Sequence, residues 1–528
     1  MQKYLLTLLW LLVYGHSFCT HMEVTGNVSG TWDVDTVMVM ANLNIQSGEV
    51  LVINPDVLVL FQGHYLFRVE GQIIAMGEAN QQIVFSVNDT TGFSGYLNSD
   101  GAWNGFWFDN LAPDNDSSLF QHCRFEYGKA LGSDSIYWYG GAVCIRDYHK
   151  IRFSNCNFNH NRAFKNGGAI YSKKGDIKIE NCVFENNDCG QDSLYGYGGG
   201  ICLEYANAIV CNNEFTNNSS TGVGGGLSFE HSDPKIVGNY FYYNYSAIGG
   251  GFVSLRSNGS NPVVNNLVVG NSSLFFGGGI AIIEASIPFT NNTLVENYSV
   301  YGGGLYLNFN SFPVFKNCIV WNNSALSGEG PQVYVWDTYS APEFYYCDLE
   351  GGVTQIGGTG GGVGFIGVYN ECIENDPVFS GGNVHPYSIT DNSPCINKGT
   401  IDTTGMLLPE NDFAGDTRIR NGRVDIGAYE AQIETGTENF TMENPGISLY
   451  PNPACEEVTL EITLGHNDRL SISLFDERGI KTLSLADNEF QKGEHKFTFD
   501  LSCINPGIYF IKIESATNHS ARKLVIKR

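Results

Sequence analysis

A short motif recurs along the middle of the chain and limits the folds open to it. Successive motif centres are 33, 26, 31, 26, 27, 26 and 26 residues apart. The segments between them are short, rich in β-formers and broken by Gly, Asn and Pro, which excludes helical repeats. Propeller blades need about 40 residues. A unit of about 26 residues predicts one coil of a parallel β-helix, with three strands and three turns, stacked about 4.8 Å from the next coil. The apolar centres are Phe125, Phe158, Phe184, Phe215, Phe241, Val268, Leu294 and Val320.

Residues one period apart lie above each other in such a coil, so each recurring residue forms a column. The apolar centres predict an interior stack. Three residues later an Asn recurs, and we expect it to occupy a left-handed turn position and to hydrogen-bond from coil to coil. Two residues before the centre stands Cys or Asn, which we interpret as a buried column in which a disulfide is also geometrically allowed. The predicted Asn ladder is Asn161, Asn187, Asn218, Asn244, Asn271, Asn297 and Asn323.

These repeats resemble a known family. "FNHN", "FENN", "FTNN" and "FYYN" are similar to the FxxN half of the polymorphic outer membrane protein repeat, and "GGAV" and "GGAI" to its GGA[ILV] half. The resemblance covers residues 120–330 and implies a β-helical surface adhesin. Later units replace Phe and use "GGG", which shared β-helix physics also explains.

Two further signatures follow the repeats. "NDPVF", "NSPCINKGT" and "RNGRVDIGAYE", ending at Glu430, resemble the final segment of bacterial right-handed β-helix proteins of the choice-of-anchor Q type. We interpret this segment as closing the last coils, since an exposed final coil is an unpaired sheet edge. The β-helix is therefore predicted over residues 20–431.

The C-terminal residues differ in pattern. Residues 432–446 are polar and predict a linker, whereas residues 447–528 alternate apolar and polar residues between regular turns, as a small Ig-like β-sandwich of about seven strands does. "YPNP", "PGIYFIKI" and the basic end "KLVIKR" resemble the C-terminal sorting domain of the Bacteroidota type IX secretion system. The resemblance implies handling by that machinery, removal of the domain, and release or attachment at the cell surface.

The N-terminus fits export. Residues 1–19 combine Lys3 with the apolar stretch "YLLTLLWLLVY" and predict a secretory signal peptide, with cleavage after Ser17. A lipoprotein at Cys19 is disfavoured, because Phe18 precedes that cysteine. No later stretch of the sequence is long and apolar enough for a transmembrane helix. We expect an extracellular or outer-membrane surface-attached protein.

The net charge of the chain limits the classes of partner that it can bind. The net charge is −26, of which the first 439 residues carry −24, and this argues against nucleic acid. No CxxC or HExxH motif occurs, so we predict no metal site and no cofactor, although Ca²⁺ remains a candidate at stacked carboxylates. Glu204 and Glu230 are one period apart and form such a stacked pair, and Asp33 and Asp35 lie on the same side of one predicted strand. Each pair is also explained as solvated surface.

The informative region interrupts the repeat. Two insertions, "ALGSDSIYWYG" and "NDCGQDSLYGY", occur at the same point of two coils and should protrude from one side about 10 Å apart. They predict a groove with aromatic walls and the cationic turn "RAFKN" as its floor, suited to an anionic glycan. The alternative is a pair of ordinary polar loops. The candidate ligand-binding residues are Tyr137, Trp138, Tyr139, Arg162, Lys165, Asp192, Tyr195 and Tyr197.

Two functions remain open. We favour a non-catalytic surface protein that binds or adheres to glycans or a host surface. The alternative is a polysaccharide lyase or glycoside hydrolase acting on an anionic polysaccharide, with Arg162 or Lys165 and Asp188 or Asp192 supplying the lyase chemistry. No catalytic residue can be assigned from spacing, because the fold alone does not fix the function.

Overall fold

The computed structural model describes residues 20–109, 117–191, 196–420, 422–432, 447–464, 467–476, 481–514 and 519–527. The predicted signal peptide and most of the predicted linker lie outside these ranges. The chain divides into two compact units, Met1–Ile433 and Glu434–Arg528. No helix of the described residues has the length and apolarity needed to cross a membrane.

The first unit is a right-handed parallel β-helix, as predicted. A regular coil contains four strands rather than three, because two residues after each ladder Asn also pair with their neighbours before the Gly step. We number the resulting sheets 1 to 4 in the order in which a coil passes through them. Within the described ranges, three short 3₁₀ helices lie at Ser135–Tyr137, Val353–Gln355 and Gly362–Gly364.

The strands of each sheet run parallel and in register from coil to coil. Sheet 1 consists of Gly30–Trp32, Val50–Ile53, Gln72–Met76, Ser118–Gln121, Ile151–Ser154, Lys178–Glu180, Ile209–Cys211, Lys235–Val237, Val263–Val264, Pro288–Thr290, Val314–Lys316, Glu343–Tyr345 and Val368–Asn370. Sheet 2 consists of Leu58–Phe61, Ile83–Val87, Cys123–Glu126, Asn157–Asn159, Val183–Glu185, Glu214–Thr216, Tyr240–Tyr242, Leu267–Val269, Thr293–Val295, Ile319–Trp321 and Asp348–Leu349.

Sheets 3 and 4 complete the coil. Sheet 3 consists of Lys129–Ala130, Arg162–Ala163, Asp188–Cys189, Ser219–Ser220, Tyr245–Ile248, Ser272–Phe276, Tyr298–Ser299 and Ser324–Ala325. Sheet 4 consists of Phe67–Val69, Phe106–Asp109, Val143–Arg146, Ile170–Lys173, Ile201–Glu204, Leu227–Glu230, Phe252–Leu255, Ile280–Ile283, Leu305–Asn308 and Val333–Val335. Sheets 2 and 4 join near the N-terminus through the strands His21–Asn27 and Thr36–Ile45.

The interior is filled by the predicted columns. Phe125, Phe158, Phe184 and Phe215 are fully buried, and their rings stack at centroid distances of 4.6, 4.7 and 4.9 Å. The cysteines of the described residues are all free thiols, so the Cys column packs as small buried residues and contains no disulfide there.

The Asn column is buried, and its side-chain amides hydrogen-bond from one coil to the next. In Asn187, Nδ2 donates to Asn218 Oδ1 at 2.9 Å and to the carbonyl of Phe158 at 2.9 Å. The expected left-handed conformation belongs instead to the residue just before the ladder position, as in Asn186 and Asn217, with φ of 55° and 54°. An exposed turn residue thus takes the unusual backbone while the buried amide makes the hydrogen bonds.

The second unit is a small β-sandwich of two antiparallel sheets. Three strands form one sheet and four form the other, in agreement with the predicted seven. Val458, Ile472 and Ile511 belong to the apolar core between the sheets. The strands are Ile447–Tyr450, Glu457–Leu464 and Gly493–Asp500, then Lys481–Phe490, Asp468–Asp476, Gly507–Glu514 and His519–Ile526.

Candidate functional site

The outer face of sheet 4 carries most of the polar and aromatic residues that could recognise a ligand. Side chains alternate along a strand, so the second and fourth residues after the Gly step face outward while the first and third fill the core. In the strand Ile170–Lys173, Ile170 belongs to the interior cluster, whereas Tyr171 packs with Cys144 and Cys202 of the neighbouring coils in a separate outer cluster. In-register pairing lines up Arg146, Lys173, Glu204 and Glu230 along the same face.

The first predicted insertion forms an aromatic wall beside this face. Its residues Ser135–Tyr137 form a 3₁₀ helix. The ring of Tyr137 packs edge-on against Trp107 at 4.6 Å, and Trp138 packs against Phe164 at 4.7 Å. Trp138 Nε1 donates to the carbonyl of Gly132 at 2.9 Å. These contacts leave Tyr137 and Trp138 half-buried, with positions fixed by packing.

Arg146 lies among three aromatic rings at the foot of this wall. Its guanidinium carbon is 5.1 Å from the ring centre of Tyr139 and 5.8 Å from those of Trp107 and Tyr171. It donates one hydrogen bond to the carbonyl of Ile136 at 3.3 Å. Nε is buried and has no hydrogen-bond partner within the described residues. A half-buried guanidinium with one unused donor is a suitable partner for a carboxylate or sulfate group.

Lys165 and Glu204 complete the cluster. Lys165 Nζ donates to the Tyr139 hydroxyl at 3.1 Å, and this hydrogen bond raises the pKa of Lys165. Glu204 accepts from the Tyr171 hydroxyl at 2.8 Å and from Asn166 Nδ2 at 3.1 Å. We call Tyr139, Arg146, Lys165, Tyr171 and Glu204 the Arg146 cluster.

Tyr197 packs against the same cluster. Its ring is in the group formed by Cys144, Tyr171 and Cys202, as is that of Tyr139, and its amide donates to Asn166 Oδ1 at 3.2 Å. Burial raises the pKa of the Tyr197 hydroxyl. The structure therefore brings together Tyr139, Lys165 and Tyr197 from three successive coils. Asp192 and Tyr195 lie outside the described residues, so their roles stay predictions.

Arg162 contacts a different set of residues from Lys165. Its Nε donates to both carboxylate oxygens of Asp188 at 2.9 Å, and Nη1 donates to the carbonyls of Phe93 and Ser94 at 3.1 Å. The guanidinium also lies 4.0 Å from the ring centre of Tyr96. Only 13% of the Arg162 side chain is exposed. Arg162 is thus a clamp for the loop 93–96 rather than a floor shared with Lys165.

Lys129 strengthens the same clamp one coil earlier. It is buried, and Nζ donates to the carbonyls of Gly95, Asn98 and Asp100 at 3.0, 3.2 and 3.4 Å. Burial and the nearby Arg162 lower the pKa of Lys129 to about 8. A loop of the N-terminal coils therefore covers this part of sheet 3, which the repeat pattern does not predict.

Three members of the Arg146 cluster were not among the predicted site residues. Arg146 and Tyr171 occupy the fourth and second positions after the Gly step, and Glu204 was noted only as one of a stacked pair with Glu230. The alternation of side chains after each Gly step is the signal that identifies them. No group of three or more His, Cys, Asp or Glu suited to a metal ion occurs among the described residues.

Comparison with known proteins identifies two regions of the chain. Residues 114–297 match the family of the right handed beta helix region, and residues 448–527 match the secretion system C-terminal sorting domain. The second match confirms the predicted route through the type IX secretion system to the cell surface or the extracellular medium. No curated protein matches the chain.

One solved structure is similar at a low level. It is the enzymatically active domain of tailspike protein 4 from bacteriophage CBA120, with 9% sequence identity and a TM-score of 0.18. The alignment covers 93% of this chain and 63% of that structure, so the chain spans less than two thirds of its length. Similarity at this level carries no argument about function.

Proposed function

We propose that this protein is a surface or secreted β-helix that binds an anionic glycan without chemical conversion. The observation that supports the proposal is the Arg146 cluster, in which two cationic side chains lie among aromatic rings on one outer face. Arg and Lys recognise carboxylate or sulfate groups, and half-buried rings stack on sugar faces. We also propose that the β-helix is related to the choice-of-anchor Q type and to the polymorphic outer membrane proteins, and that residues 1–19 are a signal peptide.

Glycan binding to purified protein tests the proposal. Polygalacturonate and heparin oligosaccharides serve as anionic probes, and a neutral glucan serves as the control ligand in calorimetry. The variants Arg146→Ala, Lys165→Ala and Trp138→Ala are expected to weaken binding about tenfold each, roughly the contribution of one charge-assisted hydrogen bond or stacking contact. Lys178→Ala is the matched control, because Lys178 lies on sheet 1 and pairs with Glu180. Equal affinities in all four variants would contradict the proposal.

Arg162 provides an internal control. Because its donors are occupied by Asp188 and the loop 93–96, Arg162→Ala is expected to lower the unfolding temperature without selectively weakening glycan binding. Selective loss of glycan affinity in this variant would show that Arg162 contributes to the glycan-binding site.

A hydrolase is the second candidate, favoured by Glu204 and Glu230. The two residues are paired in register on adjacent strands, which sets their backbones about 4.8 Å apart. Retaining glycosidases use two carboxyl groups about 5 to 5.5 Å apart. Glu230 forms an ion pair with Arg256. Glu204 accepts hydrogen bonds from Tyr171 and Asn166, and its carboxylate lies 3.5 Å from Lys173 Nζ.

Product formation separates the two candidates. Release of reducing ends from the same polysaccharides, lost in Glu204→Gln and in Glu230→Gln, would establish a hydrolase. New absorbance at about 235 nm would report a lyase product. Binding without either product supports the non-catalytic function.

A further inference from the structure

A cavity lies on a part of the β-helix that is separate from the Arg146 cluster. It has a volume of about 840 Å³ and is formed between the turn that joins sheets 1 and 2 and the segment Pro409–Gly415. Asn181, Asn212 and Glu214 line it on the side of the coils. Glu410 lines it on the side of the C-terminal segment.

The two asparagines belong to a third column of the repeat. In coil after coil, the residue that follows the sheet 1 strand has a positive φ of 48° to 67°, which Asn and Gly tolerate best. Asn is therefore favoured here for its backbone, and its amide is left available for other contacts. The Asn and Gly members of this column are Asn155, Asn181, Asn212, Gly238, Asn265, Asn291 and Asn317. In other coils His122, Tyr346 and Glu371 take the same position.

Later members of the column bind the C-terminal segment of the same chain. Asn317 Oδ1 accepts from the backbone amide of Thr400 at 2.8 Å. Asn291 Nδ2 donates to the backbone carbonyls of Asp425 and Gly427 at 2.9 and 3.0 Å. These amides thus satisfy both kinds of main-chain group, which an extended polypeptide presents and a polysaccharide lacks.

Asn265, another member of the column, binds a basic side chain instead of a main-chain group. Its Oδ1 accepts from the Arg418 guanidinium at 3.3 Å. Arg418 is fully buried, lies 3.5 Å from the Glu430 carboxylate, and donates to the carbonyls of Asp425 and Gly427. The column therefore binds main-chain groups of a segment of the same chain together with one arginine, which lies beside the Glu430 carboxyl group.

Asn181 and Asn212 repeat this arrangement in the preceding coils, where the cavity takes the place of the segment. Their side-chain amides make no hydrogen bond to another described residue, and both residues are exposed. Glu214 and Glu410 supply carboxylates, and no lysine or arginine of the described residues lines the cavity. The ligand that fits therefore has main-chain hydrogen-bonding groups and a positive charge.

We propose that this cavity binds an extended, basic polypeptide segment, with Asn181 and Asn212 contacting its main chain and Glu214 pairing with its Arg or Lys. The bound peptide would make the same kinds of hydrogen bond that Thr400, Arg418, Asp425 and Gly427 make with Asn265, Asn291 and Asn317. The proposal does not depend on the glycan-binding function.

Fluorescence anisotropy with the full chain tests it. The probe is a labelled peptide with the sequence of residues 416–427, "DTRIRNGRVDIG", which contains the arginine that the column already binds. A peptide with its three arginines replaced by glutamate is the charge control. Asn181→Gly and Asn212→Gly remove the amides without backbone strain, since Gly238 occupies the same column. Asn155→Gly is the matched control, because Asn155 has the same conformation and lies outside the cavity lining.

We expect saturable binding that weakens about tenfold in the Asn181→Gly, Asn212→Gly double variant, as loss of two hydrogen bonds implies. Glu214→Gln should weaken it to a similar degree, and Asn155→Gly should not change it. Absence of saturable binding would overturn the proposal, as would equal affinity in the double variant and in Asn155→Gly. Equal affinity for the glutamate peptide would also overturn it, and so would competition by neutral chito-oligosaccharides for the same site.

Discussion

Asn218→Ala tests whether the buried ladder holds the coils together. Asn218 is fully buried, and its Oδ1 accepts from the backbone amide and from Nδ2 of Asn187 at 3.1 and 2.9 Å. Its Nδ2 donates to the carbonyl of Phe184 at 2.8 Å and to Asn244 Oδ1 at 3.0 Å. One substitution therefore removes four hydrogen bonds that join three coils.

The size of the effect follows from these bonds. A buried hydrogen bond contributes about 1 kcal/mol net, so the loss of all four is expected to lower the free energy of unfolding by about 4 kcal/mol. Urea unfolding followed by circular dichroism and by tryptophan fluorescence measures the loss. In a protein without residues 1–19, the fluorescence signal reports the β-helix alone. Six of the seven tryptophans lie between residues 32 and 336, and the seventh, Trp10, belongs to the predicted signal peptide.

Asn217→Gly is the matched control. Asn217 is the exposed neighbour of Asn218 with a φ of 54°, a conformation that Gly adopts freely. We expect a change below about 1 kcal/mol. Similar losses in the two variants would refute the argument that the side-chain ladder, rather than turn geometry, stabilises the stack.

Three further predictions concern pH, thiols and export. Burial raises the pKa of Glu430 to about 8, so its contribution to stability is fully present below about pH 4.5 and is lost as the pH rises through about 8. Thermal unfolding temperatures measured between these two pH values should therefore fall with rising pH in the unmodified protein. They should not show this fall in Glu430→Gln. Cys455 and Cys503 are exposed and should react with a thiol reagent in the folded protein, whereas Cys182 and the other buried thiols should react only after unfolding; the time course of labelling, with Cys455→Ser and Cys503→Ser as control, checks this. Deletion of residues 447–528 should leave the protein inside the cell envelope, which immunoblots of culture medium and cell fractions will show, because the matched sorting domain directs export.

The repeat predicts the fold because its period and its columns are set by the same geometry. Phe158 and Phe184 recur 26 residues apart, and they stack at 4.7 Å with parallel rings. The ladder amides follow from the same rule. The fourth strand of each coil was missed because a two-residue strand such as Asp188–Cys189 is too short for alternation to be seen.

The candidate site was predicted in part. The aromatic insertion and Lys165 were found because they depart from the repeat, and the structure brings Tyr139, Lys165 and Tyr197 together. The pairing of Arg162 could not be predicted, because its partners include the carbonyls of Phe93 and Ser94, which are 69 and 68 residues away in sequence and belong to no repeat. Contacts between a column and a non-repeating loop leave no periodic signal.

The two proposed sites should act independently. In a β-helix, the position of a residue within the period determines the face on which it lies, so Arg146 and Lys165 share one side. Asn212 lies at the turn between sheets 1 and 2, and Glu214 begins the sheet 2 strand that follows it. The first site carries cations and the second carboxylates, so each disfavours the ligand of the other. Sites that share no residue and are joined only through a rigid ladder should have additive free energies. The double variant Arg146→Ala, Lys165→Ala should therefore bind the arginine peptide with unchanged affinity, and a change of more than about twofold would show that the two sites are coupled or overlap.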